Sequence, residues 1–195
     1  MPERITDELL LERAEGGDQA AFVRLYERHK DPIFRFAYRL LGSAELAEDI
    51  AHNCFLSLIR KPRNFEPRKG TLRSYLYSAT RNLAFKHFRD VGRETALDDI
   101  SHELAISDRE QPLPRLLNEE LSLKVREAVF TLPPLQREAL ILFEYEELSL
   151  SEIATVVGAD VGAVKARLYR AREQLRSTLR PYLNTSGEIV TLEKA

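Results

Sequence analysis

Apolar residues recur at helical spacing along most of the chain, and strand-like alternation is absent. Asp7 to Glu15 is a short amphipathic stretch that Gly16-Gly17 ends. From Gln19 to Leu41, Phe22, Leu25, Tyr26, Ile33, Phe36 and Leu40 fall near a 3.6-residue period, with Pro32 predicting a kink or interruption. Gly42-Ser43 closes that helix and caps the next, Ala44 to Arg60, which turns Ala47, Ile50, Ala51, Cys54 and Leu58 inward. After a basic loop from Lys61 to Gly70, Thr71 is placed to cap a helix reaching about Asp90, with Leu72, Leu76, Ala79 and Leu83 on one stripe.

A second set begins near Leu116 with a helix to Phe130. Leu132-Pro133-Pro134 stops it and starts another, through about Tyr145. Ser149-Leu150-Ser151-Glu152 has capping-box spacing and opens a short helix to Val157. Gly158-Ala159-Asp160 reads as a turn. A long helix then runs from Val161 to about Leu179, where Pro181 discourages continuation. The pattern predicts an all-α chain of two small helical domains, 1–95 and 118–182. A flexible acidic linker, 96–117, joins them, and a polar tail, 183–195, follows.

The second domain contains a helix-turn-helix signature. Ala154, Gly158 and Val164 supply a small residue at the helix crossing, a permissive residue in the turn and an apolar residue packing back. On the second helix, Val164, Leu168, Ala171 and Leu175 form the inward stripe. Lys165, Tyr169, Arg172 and Arg176 face the other way, flanked by Arg167 and Arg170. A basic helix alone reads more readily as a solvated face. The turn, the capping box and the one-sided charge together favour DNA binding, with the early residues in the major groove and the later ones on phosphates.

Charge changes the picture only when it is divided. The net charge of −2 argues against a uniformly basic surface. Yet residues 60–93 hold ten basic and two acidic side chains, and 161–180 hold six and one. The offset comes from 96–122, with two basic and seven acidic residues, and from an acidic N-terminal stretch. In the first basic segment Phe65, Tyr75, Tyr77, Phe85 and Phe88 are interleaved, about half of them expected in the core. Positive charge with aromatic faces suits unpaired DNA.

Other classes are excluded or disfavoured. One cysteine, Cys54, makes no internal disulfide and points to a reducing, cytoplasmic setting. No apolar run approaches the ~18 residues of a membrane span, so no membrane insertion is expected. His52 and Cys54 are too few for a metal site, and no nucleophile–base set stands out. No enzyme activity, metal or cofactor is expected.

In order and spacing, these segments resemble the bacterial RNA polymerase sigma factors of the extracytoplasmic-function (ECF) type, within the sigma-70 family. The matching residues are Ala47-Glu48-Asp49-Ile50, Phe55-Leu56, Phe65, Gly70 to Leu76, and Ala79-Thr80-Arg81-Asn82. In the second domain they are Leu132-Pro133, Arg137-Glu138, Leu148-Ser149, Glu152-Ile153-Ala154 and Val161 to Arg172. The resemblance implies a non-enzymatic subunit that binds core polymerase, recognises two promoter elements and helps open the DNA.

By position, it implies that Glu48, Asp49, Ile50 and Phe55 contact the clamp of the largest polymerase subunit. Phe65, Arg68, Lys69 and Asn82 would serve capture of a flipped base of the −10 element. Lys165, Ala166, Arg167, Tyr169 and Arg170 would read the −35 element. The second domain would sit on the flap of the second-largest subunit, and an anti-sigma factor is an expected partner. The linker acids Asp98, Asp99, Glu103, Asp108 and Glu110 would either mimic nucleic-acid charge or be a solvated tether. Two departures stand out. His52-Asn53 replaces the family's usual Gln-Glu, and Tyr75-Leu76 its Trp-Leu. The near-neutral total fits a protein that binds DNA poorly until polymerase separates its domains. The alternative is a stand-alone helix-turn-helix regulator with a helical effector or dimerisation domain.

Overall fold

The computed structural model describes residues 5–94 and 116–183. The first unit holds α1 (Asp7–Glu15), α2 (Gln19–Leu41), α3 (Ala44–Arg60) and α4 (Leu72–Glu94), with two short helical turns between α3 and α4. The second holds α5 (Leu116–Phe130), α6 (Pro134–Glu144), α7 (Leu150–Val157) and α8 (Val161–Leu183). No strand occurs among the described residues. Residues 96–115 of the expected linker and 184–195 of the expected tail lie outside the description. α5 begins at Leu116, where the pattern predicts its start.

Capping explains most boundaries. The side chains of Thr6, Asp18 and Ser43 accept hydrogen bonds from the backbone N–H groups of Leu9, Ala21 and Leu46. Thr71 Oγ1 accepts from Ser74 N–H at 3.2 Å at the start of α4. Gly42 ends α2 at φ 78°, a left-handed conformation that glycine adopts without a Cβ clash.

Both prolines read as breakers lie inside continuous helices. Pro32 removes one backbone donor from α2, but the helix is anchored on either side. Leu25 and His29 precede it and Ile33 and Phe36 follow, all buried. Pro181 falls in the last turn of α8, where only one intrahelical bond is lost, so the helix runs to Leu183 rather than Leu179. The inward stripe of α4 also differs by one residue. Leu72 and Leu76 are buried as expected. Below them Tyr77, Thr80 and Ala84 are the fully enclosed positions, while Ala79 and Leu83 are half-buried.

The two units share one core. A single cluster of buried apolar side chains runs from Leu25, Phe36, Leu58, Leu72 and Leu76 into Ile141, Leu142, Ile153, Val164 and Leu168. α2 packs on α6 and α4 packs on α7. A satellite cluster of Val129, Leu132, Leu140 and Ala171 ties α5 to α6 and α8. Burying a leucine-sized side chain stabilises by about 1.5–3 kcal/mol, so this shared core strongly favours the packed arrangement.

Candidate nucleic-acid interface

The second helix of the turn is built as its spacing predicts. Ser149 Oγ accepts from Glu152 N–H, and the Glu152 carboxylate accepts from Ser149 N–H at 2.9 Å, a complete capping box. That pairing holds the Glu152 carboxyl below its usual range. Gly158 closes α7 at φ 65°, its N–H donating to the Ala154 carbonyl. Asp160 then caps α8 by accepting from Ala163 N–H at 2.8 Å. Val164, Leu168 and Ala171 are buried, which fixes α8 on α6 and α7.

That anchoring sets the outward face. Lys165, Tyr169 and Arg170 are exposed, Tyr169 to 68%, and the two cations form no ion pair among the described residues. Ala166 is half-buried. Arg172 pairs with Glu144 at 2.7 Å and lies over the Phe143 ring, and Arg176 pairs with Glu173. Arg167 differs from its neighbours. Its Nη1 donates to Glu138 Oε1 at 3.1 Å, and Glu138 is 0% exposed.

The basic loop of the first unit walls a cavity of about 220 Å³ together with α4. Its lining includes Asn64, Phe65, Lys69, Ser74, Tyr75 and, from α7, Thr155. It is smaller than the roughly 300–1,000 Å³ of drug-sized sites, which suits a fragment such as a single base. Phe65 is 8% exposed and meets Tyr75 edge to face at 5.7 Å between ring centres. Lys69 lies on the rim, paired with Glu66 at 2.7 Å.

Several residues expected in functional roles sit elsewhere. Arg68 is exposed but does not line the cavity. Asn82 lies outside it as well, one helical turn beyond Ser78, where its Oδ1 accepts from Arg81. Ser74, Ser78 and Thr155 do line it and were missed, because hydroxyl residues on a helix carry no distinctive spacing. On α3, Glu48 and Asp49 are exposed, whereas Ile50 and Phe55 are buried. Phe55 packs edge-on against Tyr26 at 5.0 Å. These two are therefore core residues behind the exposed face of α3. Tyr77 is likewise core, against Phe36. Buried Cys54 donates to the Leu76 carbonyl at 3.6 Å, and burial pushes its thiol up to about 11. No group of three metal-ligating side chains occurs among the described residues.

Comparison with known proteins decides what this pair of surfaces belongs to. Residues 25–94 match Sigma-70 region 2, and residues 122–175 match Sigma-70, region 4. The RNA polymerase sigma-H factor of Pseudomonas aeruginosa is 32% identical over 185 residues, covering 91% of this chain and 95% of that protein. This chain belongs to the sigma-70 family and is an ECF sigma factor. The ECF RNA polymerase sigma factor SigW of Bacillus subtilis is 30% identical over 178 residues, covering 87% and 95%. Among solved structures, the sigma factor RpoE in complex with the anti-sigma factor NepR, from Bartonella quintana, superposes with a TM-score of 0.68 at 25% identity. It covers 82% of this chain and 96% of that one. As a sigma factor, the chain directs RNA polymerase to promoters. Matches across both units disfavour a stand-alone regulator. No helix among the described residues is long and apolar enough to cross a membrane.

Proposed function

We propose that the two units divide promoter recognition between them. The first, 1–95, captures an unpaired base of the −10 element in the cavity beside Phe65, with Tyr75 as a second aromatic wall and Lys69 on the phosphate side. The second, 118–182, lays α8 in the major groove of the −35 element. There Lys165 and Arg170 reach base edges or phosphates and Tyr169 packs against a base or sugar. Glu48 and Asp49, on the exposed face of α3, meet the polymerase clamp. His52 stands beside them, also exposed. Catalysis belongs to the polymerase, and the chain acts with it in the cytoplasm.

One observation carries this reading. Two surfaces of different character occur on one chain, a convex helix face that exposes Lys165 and Arg170 and a concave pocket lined by Phe65 and Tyr75. The first fits a duplex groove and the second an extruded base. RpoE is seen bound to an anti-sigma factor, which supports a partner of that kind here.

The test is open-complex formation with reconstituted holoenzyme, read by permanganate reactivity of unpaired thymines. Phe65→Ala is expected to lower reactivity while polymerase binding persists. Unchanged melting would remove the pocket from the proposal.

A further inference from the structure

We propose that Thr71 is a phosphorylation site, modified by a protein kinase that reads basic residues on the N-terminal side of its target, and that the phosphate stops base capture beside Phe65. The second half rests on the base pocket proposed above.

The sequence singles out this hydroxyl. Arg68-Lys69-Gly70-Thr71 puts arginine three positions before Thr71 and lysine two before it. No other serine or threonine of the chain has a basic residue at the third position before it. Kinases select targets by complementary charge, and a carboxylate-lined groove takes such an arginine as a forked ion pair. The fold then presents the same four residues. Arg68, Lys69, Gly70 and Thr71 are all exposed, whereas Ser74 and Thr80, further along α4, are buried and Ser78 is half-buried. Pro67–Lys69 is one short helical turn that buries no side chain, and Lys69 N–H donates to the Glu66 carbonyl across it at 2.9 Å. Drawing that turn out into an extended substrate strand therefore disrupts no core.

The reaction is phosphoryl transfer from ATP. Thr71 Oγ1 attacks the γ-phosphorus, the bond from that phosphorus to the β,γ-bridging oxygen breaks, and ADP leaves. The hydroxyl proton passes to the catalytic carboxylate of the kinase.

Position decides the effect. Thr71 Oγ1 caps α4 by accepting from Ser74 N–H at 3.2 Å, and Thr71 also lines the cavity that Phe65 and Tyr75 share. A phosphate there adds about 1.5–2 negative charges at neutral pH. At a helix N-terminus those charges meet N–H groups and the positive end of the dipole, so the modified chain keeps its fold. Toward DNA the same charges are repulsive, because the phosphates flanking a captured base must approach this rim. Lys69, two residues away and paired with Glu66 at 2.7 Å, is drawn to the new phosphate and withdrawn from the DNA. Lys165, Tyr169 and Arg170 lie on α8, so duplex reading is expected to persist.

The full chain is incubated with ATP and the catalytic subunit of cyclic-AMP-dependent protein kinase, a kinase of this class, and the product is mapped by mass spectrometry. One phosphoryl group at Thr71 is expected, with Arg68→Ala modified at least about tenfold more slowly. Modification no faster at Thr71 than at other hydroxyls, or as fast in Arg68→Ala, overturns the site. Assembled with core polymerase, the phosphorylated chain is expected to give at least about tenfold less permanganate reactivity at promoter thymines, restored by a phosphatase, with polymerase binding unchanged. Loss of polymerase binding on phosphorylation overturns the switch. Undiminished reactivity overturns the switch alone if Phe65→Ala lowers it. If Phe65→Ala leaves it undiminished as well, the base-pocket reading falls and the switch with it.

Discussion

The two candidate DNA surfaces differ in what they face. The outer face of α8 is open, with Lys165, Tyr169 and Arg170 exposed and the two cations unpaired among the described residues. The pocket beside Phe65 is closed on one side by Thr155 of the opposite unit, and the α4 arginines near it are engaged. Arg73 and Arg81 each reach across to a buried glutamate. The first surface is open to solvent as it stands, whereas Thr155 of the second unit lines one side of the other. Total positive charge is therefore a poor guide to DNA-binding capacity. What matters is whether the cations are already neutralised, and by which part of the molecule.

The largest expected effect tests whether the surfaces share a foundation. Leu76→Ala empties a fully buried site in the common core. It is expected to cost about 2–5 kcal/mol of unfolding stability in denaturant melts, with both surfaces losing protection from hydrogen exchange together. Loss confined to the first unit would show that the units fold separately.

The next two effects should separate the surfaces. Phe65→Ala is expected to weaken holoenzyme binding to a single-stranded −10 oligonucleotide by about 1–3 kcal/mol and to leave duplex binding intact. Arg170→Ala is expected to do the reverse, at about 1–3 kcal/mol on the preferred −35 duplex in an anisotropy titration. Equal loss on all duplex sequences would assign Arg170 to a phosphate. If either substitution damages both activities equally, the division of roles fails.

Much of this was legible in the chain. Helix boundaries followed from local chemistry, and the Ser149–Glu152 box and the Ala154, Gly158 and Val164 offsets lie where they were expected. The apolar residues of α3 were harder, because Ile50 and Phe55 suit a partner contact as well as a core. In the fold both are buried. Asn82 shares a helix with the pocket residues, but its side chain falls a turn away. The cross-unit ion pairs had no local signature at all. Glu138 pairs with a residue 57 positions earlier in sequence, and no periodicity or motif marks such a partner.

Smaller effects sharpen the comparison from the structural side. Ser149→Ala removes the cap beneath the open surface and is expected to cost about 1 kcal/mol of stability. Acid should act on both units. Around Asp7, burial favours the neutral acid, but His29 at 2.7 Å and Arg28 overcome it and lower the pKa. Glu152 is lowered by Ser149. Both contributions are present above the ordinary carboxylate values of 3.8 and 4.5 and are lost as pH falls through the lowered ones. A stability profile measured down to acid pH should therefore be less steep in Asp7→Asn. An unchanged slope would mean that the α1 contact persists in the unfolded chain.

The most direct test is a reconstituted transcription reaction in which core polymerase, the purified chain and a genomic DNA library are combined and transcript 5′ ends are mapped. Starts are expected to be confined to sites that share two upstream elements, with Phe65→Ala and Arg170→Ala each relaxing preference at one of them. Starts no different from those of core polymerase alone would contradict this expectation.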